Sequence, residues 1–191
     1  MNDFWFYTQL GFSHVLDPAG YDHVLFLTAL ALPFTFAQWK KVFWLATLFT
    51  FAHCFSLALA AFGIVEIDPD LIELLIPVTI LITALFNLYI ERHGDSLRNA
   101  FRIDLIATGF FGLIHGLGFS NYFRMLMSGE SEKMSPLIGF AAGIEAAQLL
   151  VLLLVLTVTY VVLRRLSFNR TYYVWGVSLL IAFISLKLIF F

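Results

Sequence analysis

The sequence predicts an all-α fold, a polytopic membrane helix bundle of about six transmembrane helices with both termini outside. Three observations carry this. Hydrophobic residues make up 61% of the 191 residues and charged residues 13%, about half the roughly 25% charge of a soluble domain. Six apolar segments are each long enough to cross ~30 Å of hydrocarbon. Short polar stretches separate them, and a backbone surrounded by lipid must satisfy its hydrogen bonds within the segment, which selects helices. The whole chain, 1–191, reads as a single transmembrane domain.

The elements follow in order. Residues 1–16, including the aromatic-rich "NDFWFYTQLGFSHVL", are expected as an interfacial segment on the outer leaflet. The first span is placed near 18–37, with Asp17 as N-cap, Pro18 at the first helical position and Pro33 as an internal kink. Further spans are expected near 42–63, 71–90 (kinked at Pro77), 103–123, 136–163 (opened by Ser135 and Pro136) and 173–190. The breaks are "EIDPD", "ERHGDSLRN", "SGESEK" and "RRLSFNR".

Charge sets the orientation. Lys40, Lys41, Arg92, Arg98, Arg102, Arg164, Arg165 and Arg170 fall at the first, third and fifth loops, against Arg124, Lys133 and Lys187 on the other side. The positive-inside rule puts the first group in the cytoplasm. A bacterial inner membrane with the termini toward the periplasm is the expected setting. The opening residues lack a basic stretch and a small-residue cleavage site, so a cleaved signal peptide is not expected. A net charge of -2, with no basic run resembling a nucleic-acid patch, leads to no expectation of a nucleic-acid partner. The single cysteine, Cys54, excludes an internal disulfide.

Against this apolar background the ionisable residues inside the spans carry the functional signal, since each costs ~2.5–3.5 kcal/mol on insertion scales. They are Asp22 and His23 in the first span, His53 in the second, His115 in the fourth and Glu145 in the fifth. Counted from the outer ends of the expected spans, His53, His115 and Glu145 lie roughly 12–15 Å deep, and Asp22 and His23 about 6–8 Å. Four helices thus bring imidazoles and carboxylates to one layer in the outer half, with a site open toward the periplasmic side. Imidazoles with one or two carboxylates suit Zn²⁺, Ni²⁺, Co²⁺ or Fe²⁺, whereas Ca²⁺ and Mg²⁺ demand more oxygen ligands. His23, His53 and His115 are the expected ligands, and Asp22 and Glu145 compete for the remaining position or orient an imidazole. Ser56, Gln148 and Asn87 lie on faces from which they can hydrogen-bond around such a site. Cys54, ~100° around the helix from His53, is expected to pack rather than ligate. His93 is expected as a solvated loop residue, and Glu66, Asp68, Asp70 and Glu73 as an acidic outer loop. Gly112-xxx-Gly116 and Gly139-xxx-Gly143 permit close helix contacts.

Four stretches, "GFSHVLDPAGYDHVLFLTAL", "FTFAHCFSLALAAFG", "FGLIHGLGFS" and "FAAGIEAAQL", resemble in order the Gly-x-Asp-His, Ala-His, His-Gly-x-Gly-Phe and Gly-x-Glu-x-x-Gln segments of the HupE/UreJ family of bacterial integral membrane proteins. The resemblance runs over nearly the whole chain. It implies a nickel or cobalt permease, of a kind often accompanying hydrogenases or ureases, with Asp22, His23, His53, His115 and Glu145 as metal residues. Asp17 and Pro18 lengthen the gap between His14 and the Asp-His pair, which leaves His14 outside the expected ligand set.

Different functions fit these residues. In a transition-metal permease the site holds the cation transiently. In a zinc-dependent intramembrane hydrolase acting on a lipid or membrane-anchored substrate, the metal stays and Asp22 or Glu145 is the catalytic base. In a metal sensor or accessory subunit the site is structural. Membrane lipid and a divalent metal ion are the expected partners, and nothing in the residue pattern specifies an oligomer.

Overall fold

The structure is a computed structural model that describes residues 3–93, 97–127 and 132–190. The breaks "ERHGDSLRN" and "SGESEK" fall partly outside the described residues, as does the side chain of Arg98. The elements are α1 (Asp3–Val15), α2 (Asp22–Ala31), α3 (Trp39–Ala61), α4 (Pro69–His93), α5 (Leu97–Gly118), α6 (Ser120–Leu126), α7 (Met134–Tyr160) and α8 (Arg170–Phe190). A 3₁₀ turn, Phe36–Gln38, leads into α3, and a π-helical turn, Val161–Arg165, closes α7. No strand occurs among the described residues.

Among the described residues, five segments are long and apolar enough to cross a membrane: Phe36–Ala61, Pro69–His93, Phe101–Gly118, Met134–Arg165 and Arg170–Phe190. They match the last five expected spans, except that the segment expected at 103–123 divides at Phe119 into α5 and α6. Lys133 rather than Ser135 caps α7, so Pro136 falls within its first turn. The Pro77 ring lies buried inside an unbroken α4.

The segment near 18–37 differs from expectation. Asp17 and Pro18 form a turn instead of a helix start: the Ala19 backbone N–H donates to Asp17 Oδ1 at 2.9 Å and that of Gly20 to the Asp17 carbonyl at 3.2 Å. The helix begins only at Asp22 and stops at Ala31, just ahead of Pro33, whose ring forbids a continuing ladder. Ten residues rise about 15 Å, half a bilayer core.

Residues 1–16 were expected as an interfacial segment, and their helix is α1. It does not stand apart but packs lengthwise on the first half of α7. Backbone contact is close, since a Cβ at Gly139 or Gly143 would collide with the carbonyl oxygen of Phe4 or Thr8. On α1 itself Tyr7, Gly11 and Val15 form the buried stripe, while Phe4, Trp5, Phe6 and Phe12 point outward. At the far end, Asn87 Nδ2 of α4 donates to the Ala29 carbonyl at 2.7 Å. The Arg170 guanidinium donates to the Pro33 carbonyl at 3.1 Å and to Glu91 at 3.4 Å. The chain from α1 through the turn to α2 therefore runs from the start of α7 to the end where α4 finishes and α8 begins. Around it, α3 lies against α5 through Gly112 and Gly116, where a Cβ would strike the Phe49 and His53 backbone, and α4 pairs with α8.

Candidate metal site

The break between α1 and α2 positions two imidazoles. His14 sits in the last turn of α1, and the Asp17 turn folds the chain back so that His23, in the first turn of α2, meets it with ring centroids 4.7 Å apart. His53, from the middle of α3, lies 5.9 Å from His14 and 5.7 Å from His23. Ligating nitrogens of His14, His23 and His53 all fall within 4.8 Å of one another. His115, near the end of α5, stands 5.2 Å from His23, ring to ring. The rings are deeply set, with His53 at 0% exposure and His115 at 1%.

Hydrogen bonding fixes which nitrogen two of the rings, His23 and His115, offer. Asp22 Oδ1 accepts the His23 backbone N–H at 2.9 Å and lies 3.1 Å from Nδ1 of the same ring. His115 Nδ1 lies 2.9 Å from the Phe111 carbonyl. A carboxylate and a carbonyl only accept, so both rings carry the proton on Nδ1 and present the Nε2 lone pair. Nε2 of His14, His23, His53 and His115 is in each case buried without a hydrogen-bond partner, and so is Nδ1 of His53. Buried polar atoms are normally paired, because an unmade bond costs about 1–3 kcal/mol. Three imidazoles whose nitrogens converge, with His115 outside that 4.8 Å group but against His23, and a carboxylate that orients His23, have the donor set of a borderline transition-metal ion. The residues therefore fit such a metal.

The remaining expected residues are placed differently. Glu145 is not grouped with the imidazoles within that 4.8 Å. Its carboxylate reaches α3 one turn away from His53, where Oε1 accepts Thr47 Oγ1 at 2.7 Å and Oε2 accepts Thr50 Oγ1. Ser56 spends its hydroxyl on the His53 carbonyl at 3.0 Å, and Asn87 spends its amide on α2. Gln148 is fully buried with both amide atoms unpaired. His93 is exposed in the last turn of α4, with Nδ1 2.9 Å from the Tyr89 carbonyl. Cys54 is half-buried.

Sequence reasoning left out His14. The stripe of Tyr7, Gly11, His14 and Val15, at helical spacing, was the available signal that α1 has a buried face. It also left out the aromatic surround. Phe119, at the α5–α6 junction, packs against His14 with ring centroids 4.1 Å apart and planes tilted by 39°, and lies nearly parallel to Phe140 at 5.2 Å. A cavity of 620 Å³, lined by Leu10, Phe12, Asp17 and Tyr122, reaches His14 and Phe119 from one side. Asp22 faces a second cavity of 450 Å³, which Glu73 also lines.

Beneath the imidazoles lies a floor of phenylalanines. Phe26, Phe49 and Phe111 each stand one helical turn from the histidine on the same helix, His23, His53 and His115. Their rings meet one another, with Phe26 5.1 Å from Phe49 and 5.6 Å from Phe111, and touch the cluster, with Phe49 5.3 Å from His115. All three are buried. The site thus has cavities on one side and a dry aromatic layer on the other.

Fold and site together define an integral membrane protein, all-helical, with a histidine cluster enclosed where one chain segment breaks. The family described as HupE / UreJ protein matches the chain over residues 1–191. The chain belongs to that family, which is associated with nickel and cobalt transport. No curated protein and no solved structure matches it.

Proposed function

We propose that the protein is a permease for a divalent transition-metal cation of the nickel or cobalt type, and that the cation is held in transit by His14, His23, His53 and His115. The observation that carries this reading is the set of unpaired Nε2 atoms gathered at the break between α1 and α2. In this reading α1 and α2 are two halves of one discontinuous crossing, which restores the sixth span and puts the site near mid-membrane. Transporters place their binding sites at such interruptions, where chain ends and side chains replace the hydration of the ion. Asp22 supplies the negative charge closest to the imidazoles and orients His23. The Lys and Arg distribution supports a cytoplasmic face at the α4–α8 end, with both termini and the two cavities toward the periplasm. An inner-membrane setting follows.

The competing hydrolase reading needs a carboxylate free to take a proton from metal-bound water. Asp22 is engaged by His23 and Glu145 by two threonine hydroxyls, which favours the permease. The test is reconstitution of the full chain into vesicles containing a trapped metal-responsive dye. Wild type is expected to carry Ni²⁺ or Co²⁺ inward, and His53→Ala to be inert. Tight retention of zinc by the purified protein through chelator dialysis, with no uptake, would reverse the ranking.

A further inference from the structure

The proposed permease needs a route from the histidines to the opposite face, and the phenylalanine floor closes the direct one. We infer that the cation leaves along the buried face of α5, past Phe111 as the barrier and through Thr108 to Asp104 as an oxygen-donor release station. The inference rests on the permease reading and extends it to residues the histidine site does not include.

Four observations carry it. Asp104, Thr108, Phe111 and His115 recur at helical spacing and share one face of α5. The opposite face is Ile103, Ile106, Phe110 and Leu113, all exposed large apolar residues, so Asp104 has been kept off the lipid side. Thr108 is fully buried at 0% exposure and its hydroxyl has no hydrogen-bond partner. It lies roughly 10 Å from the level of His115, with the barrier between, and about 6 Å from that of Asp104. Asp104 is half-buried at the inward end of the same face, in electrostatic contact with Lys41 of α3, whose Nζ lies 5.2 Å over the Phe101 ring.

The chemistry is graded in the right direction for release. Imidazole nitrogens hold nickel or cobalt more firmly than hydroxyl and carboxylate oxygens do. A carried ion must leave its strong site for weaker ones before it is freed. No bond is made or broken beyond exchange of coordinating atoms.

The experiment compares wild type with Asp104→Asn, Asp104→Glu, Thr108→Val and Phe111→Ala, each as the full chain in vesicles with Co²⁺ as the probe. Two readouts are taken: Co²⁺ uptake, and the visible absorption of Co²⁺ bound to imidazole nitrogen. Asp104→Asn and Thr108→Val are expected to slow uptake roughly tenfold, the scale expected for loss of a polar group that compensates charge inside a membrane, with the absorption spectrum unchanged. Asp104→Glu is expected to restore most of the rate, and Phe111→Ala to let Co²⁺ leak out of preloaded vesicles. Wild-type uptake rates in both Asp104→Asn and Thr108→Val would overturn the route and leave the permease standing. Loss of the spectrum along with uptake in Asp104→Asn would make Asp104 a structural residue and also overturn it. A wild type that binds Co²⁺ but moves none would overturn the permease reading and the route with it.

Discussion

Two polar patches lie one helical turn apart on α3, and the fold treats them in opposite ways. At Thr50 the hydroxyl, with that of Thr47, closes on the Glu145 carboxylate, and both oxygens have a donor. At His53 neither ring nitrogen has a partner, and the neighbouring His14 and His23, with His115 beyond His23, also keep Nε2 unpaired. Both patches place polar atoms in an apolar bundle, where an unpaired group is costly. A patch that is internally saturated holds helices together, and one left unsaturated is reserved for something that arrives.

The sharpest way to break the contrast is to remove a ligand. His53→Ala is expected to weaken divalent-metal binding by more than about 100-fold, beyond the 10–100-fold typical of outer partners, as measured by equilibrium dialysis with Ni²⁺ or Co²⁺. Binding within a few-fold of wild type would dissolve the cluster as a site. Next comes the seat of α1. Gly143→Val places a side chain against the Thr8 carbonyl and is expected to cost about 1–3 kcal/mol of stability as an overpacked contact. It should also lower metal affinity without touching an imidazole, because His14 rides on α1. Thermal unfolding in detergent and dialysis together check this, and unchanged affinity would show that α1 does not position the site.

Asp22→Asn is expected to weaken metal binding about tenfold by loosening His23 and removing a charge, with little effect on unfolding. Glu145→Gln should do the reverse. It keeps hydrogen bonding to Thr47 and Thr50 in part, loses about 1 kcal/mol of stability, and leaves metal affinity within about twofold. A collapse of binding in Glu145→Gln would move Glu145 into the site and erase the distinction between the patches.

Much of this was legible in the sequence. Apolar runs with polar breaks pointed to the helical membrane class and to six spans, of which the last five correspond to long apolar helices among the described residues, because hydropathy reports directly on what a helix must face. Asp22, His23, His53 and His115 stood out because ionisable groups are rare in such runs. The break at 16–21 was misread, since Asp17 and Pro18 serve equally as a helix start and as a turn, and only the contact of α1 with α7 decides between them. His14 was lost with it, as the longer gap counts against a ligand only if the chain does not fold back. Glu145 was grouped with the histidines by depth and by the family resemblance, and neither reports the hydroxyls of Thr47 and Thr50 on the facing helix. Asp104 was passed over at the edge of an expected span, where a charge is ordinary unless its face is known to be buried.

The most direct test of the account is X-ray absorption at the cobalt edge on the purified chain loaded with one equivalent of Co²⁺, in wild type and in His14→Ala. Imidazole nitrogens at about 2.0–2.1 Å, the range of histidine–metal bonds, are expected to dominate the cobalt ligands, with one imidazole fewer in the variant. A shell of oxygens, or a wild-type spectrum unchanged in His14→Ala, would contradict the account.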